Sequence, residues 1–290
     1  MKVAVIGGTG LLGRGIAAAW HGDELAMAGS GDVDIRDPRQ VESFIAHHRP
    51  DRVVLAAAIS QVDACERDPE QAEQVNHAGA VNVAEACRKR GVRMIFLSTD
   101  YVFDGIKRSP YEVDDPVAPL NVYGRTKAAA EADVRRILPG SCVARASSLF
   151  GAEKKCFANT VLDWGESGAP VRALAGQVSI PNYSHDVARA LAALAHTGAE
   201  GTLHVSNTTA VSRYDFSREL LRAAGLEVSV EPVTVKDVKW TAERPRYSAM
   251  SDSSLRRYGI RVRDWRDALP DYLALRRQVR LAAAAPGGAR

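Results

Sequence analysis

Residues 2–13 constrain the fold more than any other stretch. Val3-Ala4-Val5-Ile6 is a short, unbroken apolar run, as expected of a strand buried on both faces of a parallel sheet. Gly7, Gly10 and Gly13 follow in a G-x-x-G-x-x-G pattern, and a helical segment opens at Leu11. Glycine lets the chain turn sharply and lets a phosphate approach the backbone, and the free amides of a helix start attract that phosphate. A strand–turn–helix of this kind opens a dinucleotide-binding βαβ unit. Gly7, Thr9, Gly10, Leu11, Leu12 and Gly13 are therefore the candidate cofactor contacts.

The rest of the first half keeps this rhythm. Strands are expected at 2–6, 53–57, 92–97 and 141–145, with a further one near 25–28, and helices at 11–20, 38–48, 70–89 and 122–137. This predicts an α/β, Rossmann-type, doubly wound parallel sheet over residues 1–150. After Gly151 the pattern loosens. A helix at 157–164, a strand at 171–174, a helix at 185–194, a strand at 203–205 and a helix at 213–223 are read there. We expect 182–207 to return to the main sheet. Residues 151–181 and 208–280 would form a smaller, mainly C-terminal α+β substrate lobe, with 281–290 a flexible tail.

Composition narrows the class. No window of the 290 residues approaches an 18-residue apolar run, and the first strand is too short for a signal-peptide core, so a cytoplasmic protein with no membrane partner is expected. The four cysteines form no CxxC pair, and no essential metal is expected. A net charge of +3, spread over scattered arginines, gives no basic stripe for nucleic acid.

Chemistry concentrates at 98–127. Tyr123 and Lys127 lie four apart on one helical face, and Thr99 ends the preceding strand. An ammonium beside a phenol favours the phenolate, so Lys127 is expected to lower the Tyr123 pKa. Tyr123 would then give its proton to a developing alkoxide, with Thr99 orienting the carbonyl. Ser98 sits beside Thr99 on the cofactor side, and Asp100 is a second proton-relay or orienting group. Ala56, Ala57 and Ala58 are small enough to lie against a cofactor ribose. No carboxylate ends the second strand at Ala28, and Ser30 could donate to a 2′-phosphate with Arg36 neutralising it. Asp34 and Ile35 would border the adenine. This favours NADPH, with NADH the alternative. Arg244 either takes a diphosphate bidentately or makes a salt bridge.

The stretches GGTGLLGRG, AAAISQVDACERDPEQAEQVN, STDYVFDG, PLNVYGRTKAAAE, VRALAGQVSIPNYSHDVARA and GTLHVSN resemble the extended short-chain dehydrogenase/reductases, specifically the RmlD-like dTDP-4-dehydrorhamnose reductase family, over residues 1–275. The resemblance implies NADPH-dependent reduction of the C4 ketone of a dTDP-4-keto-6-deoxyhexose, with Thr99, Tyr123 and Lys127 catalytic. It places Asp100 beside the reacting ketone, Val62 and Asp63 on the sugar side, and Ala57, Ala58 and the strand end at Arg145 near the nicotinamide; Phe103, Ser147, Ser148, Gln177, Asn182 and Arg244 are the further candidate substrate contacts. Such reductases are often homodimers. The chain departs from the family at Ser148, where a tryptophan usually stands near the sugar, at Gly176-Gln177, and at Ile180-Pro181-Asn182-Tyr183. These departures imply a related deoxysugar, as in a secondary-metabolite pathway. The alternatives are an epimerase of the same superfamily and a non-catalytic NADP-binding regulatory subunit resembling that of methionine adenosyltransferase.

Overall fold

The computed structural model describes residues 1–284. β1 (Lys2–Ile6) runs straight into the glycine turn and α1 (Leu11–Ala19). β2 (Glu24–Ala28) is followed by α2 (Pro38–His48). Pro38 is pre-set for a first helical turn, and the Asp37 carboxylate accepts the Arg39 amide, so α2 starts where 38–48 was predicted. β3 (Arg52–Leu55) leads to α3 (Val62–Arg67) and α4 (Pro69–Ala72). A π-helical segment, Glu73–Ala78, then joins α5 (Gly79–Arg90), which Gly91 ends at φ +65°. The helix predicted over 70–89 is thus interrupted by a widened turn. β4 (Arg93–Thr99), a 3-10 turn at Asp100–Val102, α6 (Val122–Ile137) and β5 (Cys142–Ala146) complete the first half.

The second half begins with β6 (Leu149–Phe150), α7 (Phe157–Glu166), β7 (Val171–Leu174), β8 (Val178–Ser179) and β9 (Asn182–Tyr183). It continues with α8 (Ser184–Ala195), β10 (Gly201–His204), β11 (Val211–Ser212), α9 (Arg213–Ala223), β12 (Val230–Val233), α10 (Ser253–Arg256) and α11 (Trp265–Ala284). Residues 281–284, expected in a tail, are helical, and the remainder of that expectation lies outside the described residues.

Six strands form one parallel sheet in the order β2-β1-β3-β4-β5-β10. Because all run the same way, Ile6, Ala28, Leu55, Thr99 and Ala146 end on one edge. The strand order reverses beside β1, and the crevice there is where such sheets bind ligands. α1 and α8 cover one face through Leu12, Ile16, Val187 and Leu191, while α2, α5 and α6 cover the other through Val41, Ile45, Val83, Ala130 and Val134. Gly15 lets the first two helices meet, since a Cβ there would stand 3.0 Å from Ser184 Cβ.

The C-terminal lobe has its own core. Phe150, Phe216, Trp265 and Tyr272 centre it, and Phe216 meets Trp265 edge-on at 5.2 Å. Each such aromatic, fully buried, stabilises by roughly 1.5–3 kcal/mol. The small ladders β12–β7, β11–β8 and β6–β9 frame this lobe and bring residues 147–149 and 177–183 to the edge where β4 and β5 end.

Candidate active site

The turn after β1 is built for close approach. Gly7 has φ +102°, and a Cβ on it would lie 2.6 Å from the Ala56 carbonyl carbon, so the turn packs directly on the chain leaving β3. The amides of Ala56 and Ala57 both bond the Ile6 carbonyl (2.8 and 3.0 Å), which ends β3 two residues before the predicted limit. A Cβ on Gly13 would stand 2.6 Å from Gly8 Cα. Gly10 offers α1 no side-chain cap, and its first turn holds no carboxylate, so the Leu11 and Leu12 amides remain available. These residues fit a dinucleotide diphosphate. The Leu12 side chain belongs to the core, leaving only its backbone for that contact. Lys154, which the sequence reading did not single out, reaches from the loop before α7 and donates to the Thr9 carbonyl at 3.1 Å.

Past β2, Gly29 packs against Thr9, and Ser30 is exposed in the turn that follows. Asp34 holds Arg36 bidentately (2.9 and 2.7 Å), so the guanidinium expected to neutralise a 2′-phosphate is already paired. Ile35 is buried under Gly79. Ala58, beyond Ala57, is exposed. The next residue is clamped by Asn76, whose side chain accepts the Ile59 amide (2.8 Å) and donates to its carbonyl (3.1 Å) and to Thr126 Oγ1 (3.3 Å). Asn76 lies in the π-helical segment, which ties the end of β3 to α6. Sequence alone carried no signal of this clamp.

Tyr123 and Lys127 are fixed by how α6 begins. Asn121 caps the helix by accepting the Gly124 amide at 2.8 Å, and Glu66 accepts the Val122 amide at 3.0 Å. Gly124 is required because a Cβ there would stand 2.8 Å from Pro119 Cβ and overlap the Tyr101 carbonyl. Tyr123 packs against the buried cluster of Cys65, Ala72 and Val122 and meets Tyr101 edge-on at 5.9 Å. Thr99, at the end of β4, donates to Asp100 (3.1 Å) and accepts the Tyr101 amide (3.1 Å), and it helps to hold down the pKa of the Tyr123 phenol. Tyr123 and Lys127 lie one turn apart on α6, which packs on β4, and Thr99 ends that strand. Ser98, beside Thr99, is buried with its hydroxyl unpartnered.

Electrostatics here are governed by burial. It pushes the Tyr123 pKa up, outweighing the Thr99 hydrogen bond, and lowers Lys127 to about 7, with Glu131 opposing. The phenol of the free site is thus not the lowered one that an adjacent ammonium was expected to give. Lys127 Nζ instead sits 4.0 Å from the Phe96 ring centroid. Asp100 is raised to about 6 by burial, against hydrogen bonds from Ser248 (2.5 Å) and Thr99.

Several expected contacts are committed elsewhere. Arg145 forms a bidentate pair with Glu131 (2.9 and 2.7 Å) in which both side chains are only 3% exposed, so only its backbone can border a cofactor. Phe103 is fully buried and stacked on Tyr111 at 4.1 Å, which makes it a packing residue rather than a substrate contact. Ser147 and Asn182 are also buried. Asn182 donates to the Ser147 carbonyl (2.6 Å) and accepts the Asn207 amide (2.6 Å), stapling β5, β9 and the end of β10. Their side chains are structural, because nothing leaves them free for a ligand.

Asp63 and Arg244 pair with each other (3.0 and 2.8 Å), the salt bridge being one of the two roles expected for Arg244. Asp63 also accepts the Thr241 and Ala242 amides, and together these bonds hold its carboxyl down at about 2. Val62 opens α3 beside it. Ser148 remains exposed at φ +30°, hydrogen-bonded to Ser179 at 2.8 Å, and Gln177 donates to the Tyr101 hydroxyl at 3.3 Å.

Comparison with known proteins places this geometry. Residues 1–277 match the family described as "RmlD substrate binding domain". The dTDP-4-dehydrorhamnose reductase of Mycolicibacterium smegmatis is 35% identical over 280 residues, covering 94% of this chain and 85% of that one. A probable dTDP-4,6-dihydroxy-2-methyloxan-3-one 4-ketoreductase of Streptomyces antibioticus is 34% identical over 284 residues, covering 94% and 96%. The crystal structure of dTDP-4-dehydrorhamnose reductase from Bacillus anthracis, in complex with NADP, superposes with a TM-score of 0.92 at 29% identity, covering 94% of this chain and 99% of that one. By these matches in sequence and architecture the chain belongs to the RmlD-like dTDP-4-dehydrorhamnose reductase family of extended short-chain dehydrogenase/reductases.

Proposed function

We propose that the chain is an NADPH-dependent reductase of the C4 ketone of a dTDP-4-keto-6-deoxyhexose, dTDP-4-dehydrorhamnose or a related deoxysugar. The observation that carries the reading is the placement of Thr99 at the end of β4 with Tyr123 and Lys127 one turn apart on α6, the helix packed on that strand, together with a glycine turn whose amides are uncapped. When bound, the nicotinamide supplies the hydride. The protein's own work is placement and proton supply. The α1 amides and Lys154 hold the diphosphate end, and Ser30 favours a 2′-phosphate over a bare ribose hydroxyl. Thr99 turns its hydroxyl from Asp100 to the ketone oxygen and orients it. Tyr123, kept protonated by burial, delivers its proton to that oxygen as charge develops. Lys127, in its charged form, favours the phenolate left behind.

In this reading residues 1–150, with 182–207 returning, carry the cofactor, and 151–181 with 208–280 carry the sugar nucleotide. A homodimer in a reducing cytoplasm, where the buried thiols of Cys65, Cys87 and Cys142 stay free, completes the proposal. The test is NADPH and NADH oxidation against dTDP-4-keto-6-deoxyhexoses differing at C2, C3 and C5. Turnover with NADPH on at least one sugar is expected. Silence on every sugar, with NADPH still bound, would overturn it in favour of a non-catalytic role.

A further inference from the structure

Arg213 opens α9 directly after β11, and β11 pairs with β8, which Gln177 precedes. The Arg213 amide donates to the Gln177 carbonyl at 3.3 Å, so the two residues are neighbours across that ladder. The guanidinium lies 4.8 Å from the Phe157 ring centroid and, among the described residues, makes no ion pair or hydrogen bond. Ring contact occupies the face of a guanidinium and leaves its edge N–H donors free. Gln177 is 5% exposed, and its Oε1 has no partner, while its Nε2 is on the Tyr101 hydroxyl. Buried polar atoms in native proteins are rarely left unpaired without a reason. Tyr101 in turn meets Tyr123 edge-on. Arg213 is close enough for its charge to favour the ionised forms of Asp100 and Tyr101.

We propose that Arg213 and Gln177 form a subsite for a hydroxyl of the hexose ring and so set which keto-sugar is accepted, an inference that rests on the reductase reading above. A hydroxyl both accepts and donates, so it satisfies the guanidinium and the free Gln177 oxygen together. A phosphate only accepts and would leave that oxygen unpaired. Position argues the same way. The reacting ketone must lie at Tyr123, and Gln177 is one side chain removed from it, within reach of the ring substituents. Arg244, the other arginine near Tyr101, is already taken by Asp63. The exposed Ser148 and Ser179 pair extends the same wall with small polar groups.

The test compares wild type, Arg213→Ala and Arg213→Lys in full-length protein, by kcat and KM for the accepted keto-sugar and by binding of dTDP alone and of NADPH. Arg213→Ala is expected to raise KM about 10- to 100-fold, the range of a lost hydrogen bond to a charged group, with dTDP and NADPH affinities unchanged. Lysine should rescue only in part, lacking the planar fork. If the alanine variant fails to fold, the lysine variant carries the comparison. An unchanged KM overturns the subsite. A loss of dTDP affinity matching the KM change also overturns it, by assigning Arg213 to the diphosphate. A wild-type protein that reduces no keto-sugar would instead defeat the reductase reading, a result visible before any variant is made.

Discussion

Glu131→Gln is expected to destabilise the fold and slow the chemistry together. The Glu131–Arg145 pair ties α6, which carries Tyr123 and Lys127, to the end of β5. Beyond Glu131, the guanidinium has, among the described residues, only the Val113 carbonyl at 3.5 Å and the Phe103 ring at 5.1 Å. Glutamine keeps the shape but removes the charge, stranding a buried cation, which costs about 3–5 kcal/mol. Against a total stability on the order of 5–15 kcal/mol for a folded domain, that is a large fraction. Replacing both partners, as in Glu131→Leu with Arg145→Met, removes the stranded charge and should recover most of the loss. Glu131 also raises the pKa of Lys127, one turn earlier on α6, so its loss should push Lys127 further below about 7 and reduce its charged fraction at neutral pH. Urea unfolding followed by tryptophan fluorescence gives the first effect, and kcat against pH the second. A loss below about 1 kcal/mol, or a double variant weaker than the single, would refute the account of this pair.

Other perturbations read other parts of the site. Tyr123→Phe should lower kcat by about 10²- to 10⁴-fold, the usual contribution of a positioned acid, with NADPH affinity retained in a fluorescence titration. Near-wild-type turnover would remove Tyr123 as proton donor. Asp63→Ala should release residues 241–244 and cost about 1–2 kcal/mol, the drop in its carboxyl pKa from 3.8 to about 2 discounted for partial exposure. Faster proteolysis within 235–245 would show the release, and an unchanged cleavage rate would refute it. The Asp63 contribution is present above its unfolded pKa and fades as pH falls from 3.8 toward 2. His204 is buried, and desolvation with the nearby Arg145 lowers it to about 3. The unfolded chain therefore takes up a proton that the fold does not, and stability should fall as pH drops from 6.5 toward 3, at roughly 1.4 kcal/mol per unit. His204→Leu should flatten thermal melts compared between pH 7 and pH 5, and an equal slope in both proteins would contradict the assignment.

What could be read from the sequence was local. β1 and α1 were legible because an unbroken apolar run and three glycines admit few alternatives. α2 and α6 were bounded correctly because Asp37-Pro38 and Asn121 announce helix starts through their own side chains. The placement of Thr99 at a strand end and of Tyr123 and Lys127 one turn apart on a helix was legible because strand and helix spacing set it without any distant partner. The rest depended on which distant group each side chain finds. Nothing near Arg145 reveals that Glu131 claims it from the preceding helix. Nothing near Ser147 or Asn182 distinguishes a ligand contact from a staple between strands. Phe103 follows β4 closely but turns inward onto Tyr111. The π-helical segment was hidden because it continues the helical pattern without a Gly or Pro to mark it, and its consequence, the clamp by Asn76, lies across the fold.

The central claim is hydride delivery to C4 of a nucleotide-bound hexose with NADPH as the donor. It is tested most directly by supplying NADPH deuterated at the transferring position of the nicotinamide and examining the isolated sugar product by NMR. One deuterium at C4, with one equivalent of NADPH consumed, is the expected result. Product without deuterium at C4, or a sugar inverted with no net loss of NADPH, would contradict the account and identify an epimerase-type cycle instead.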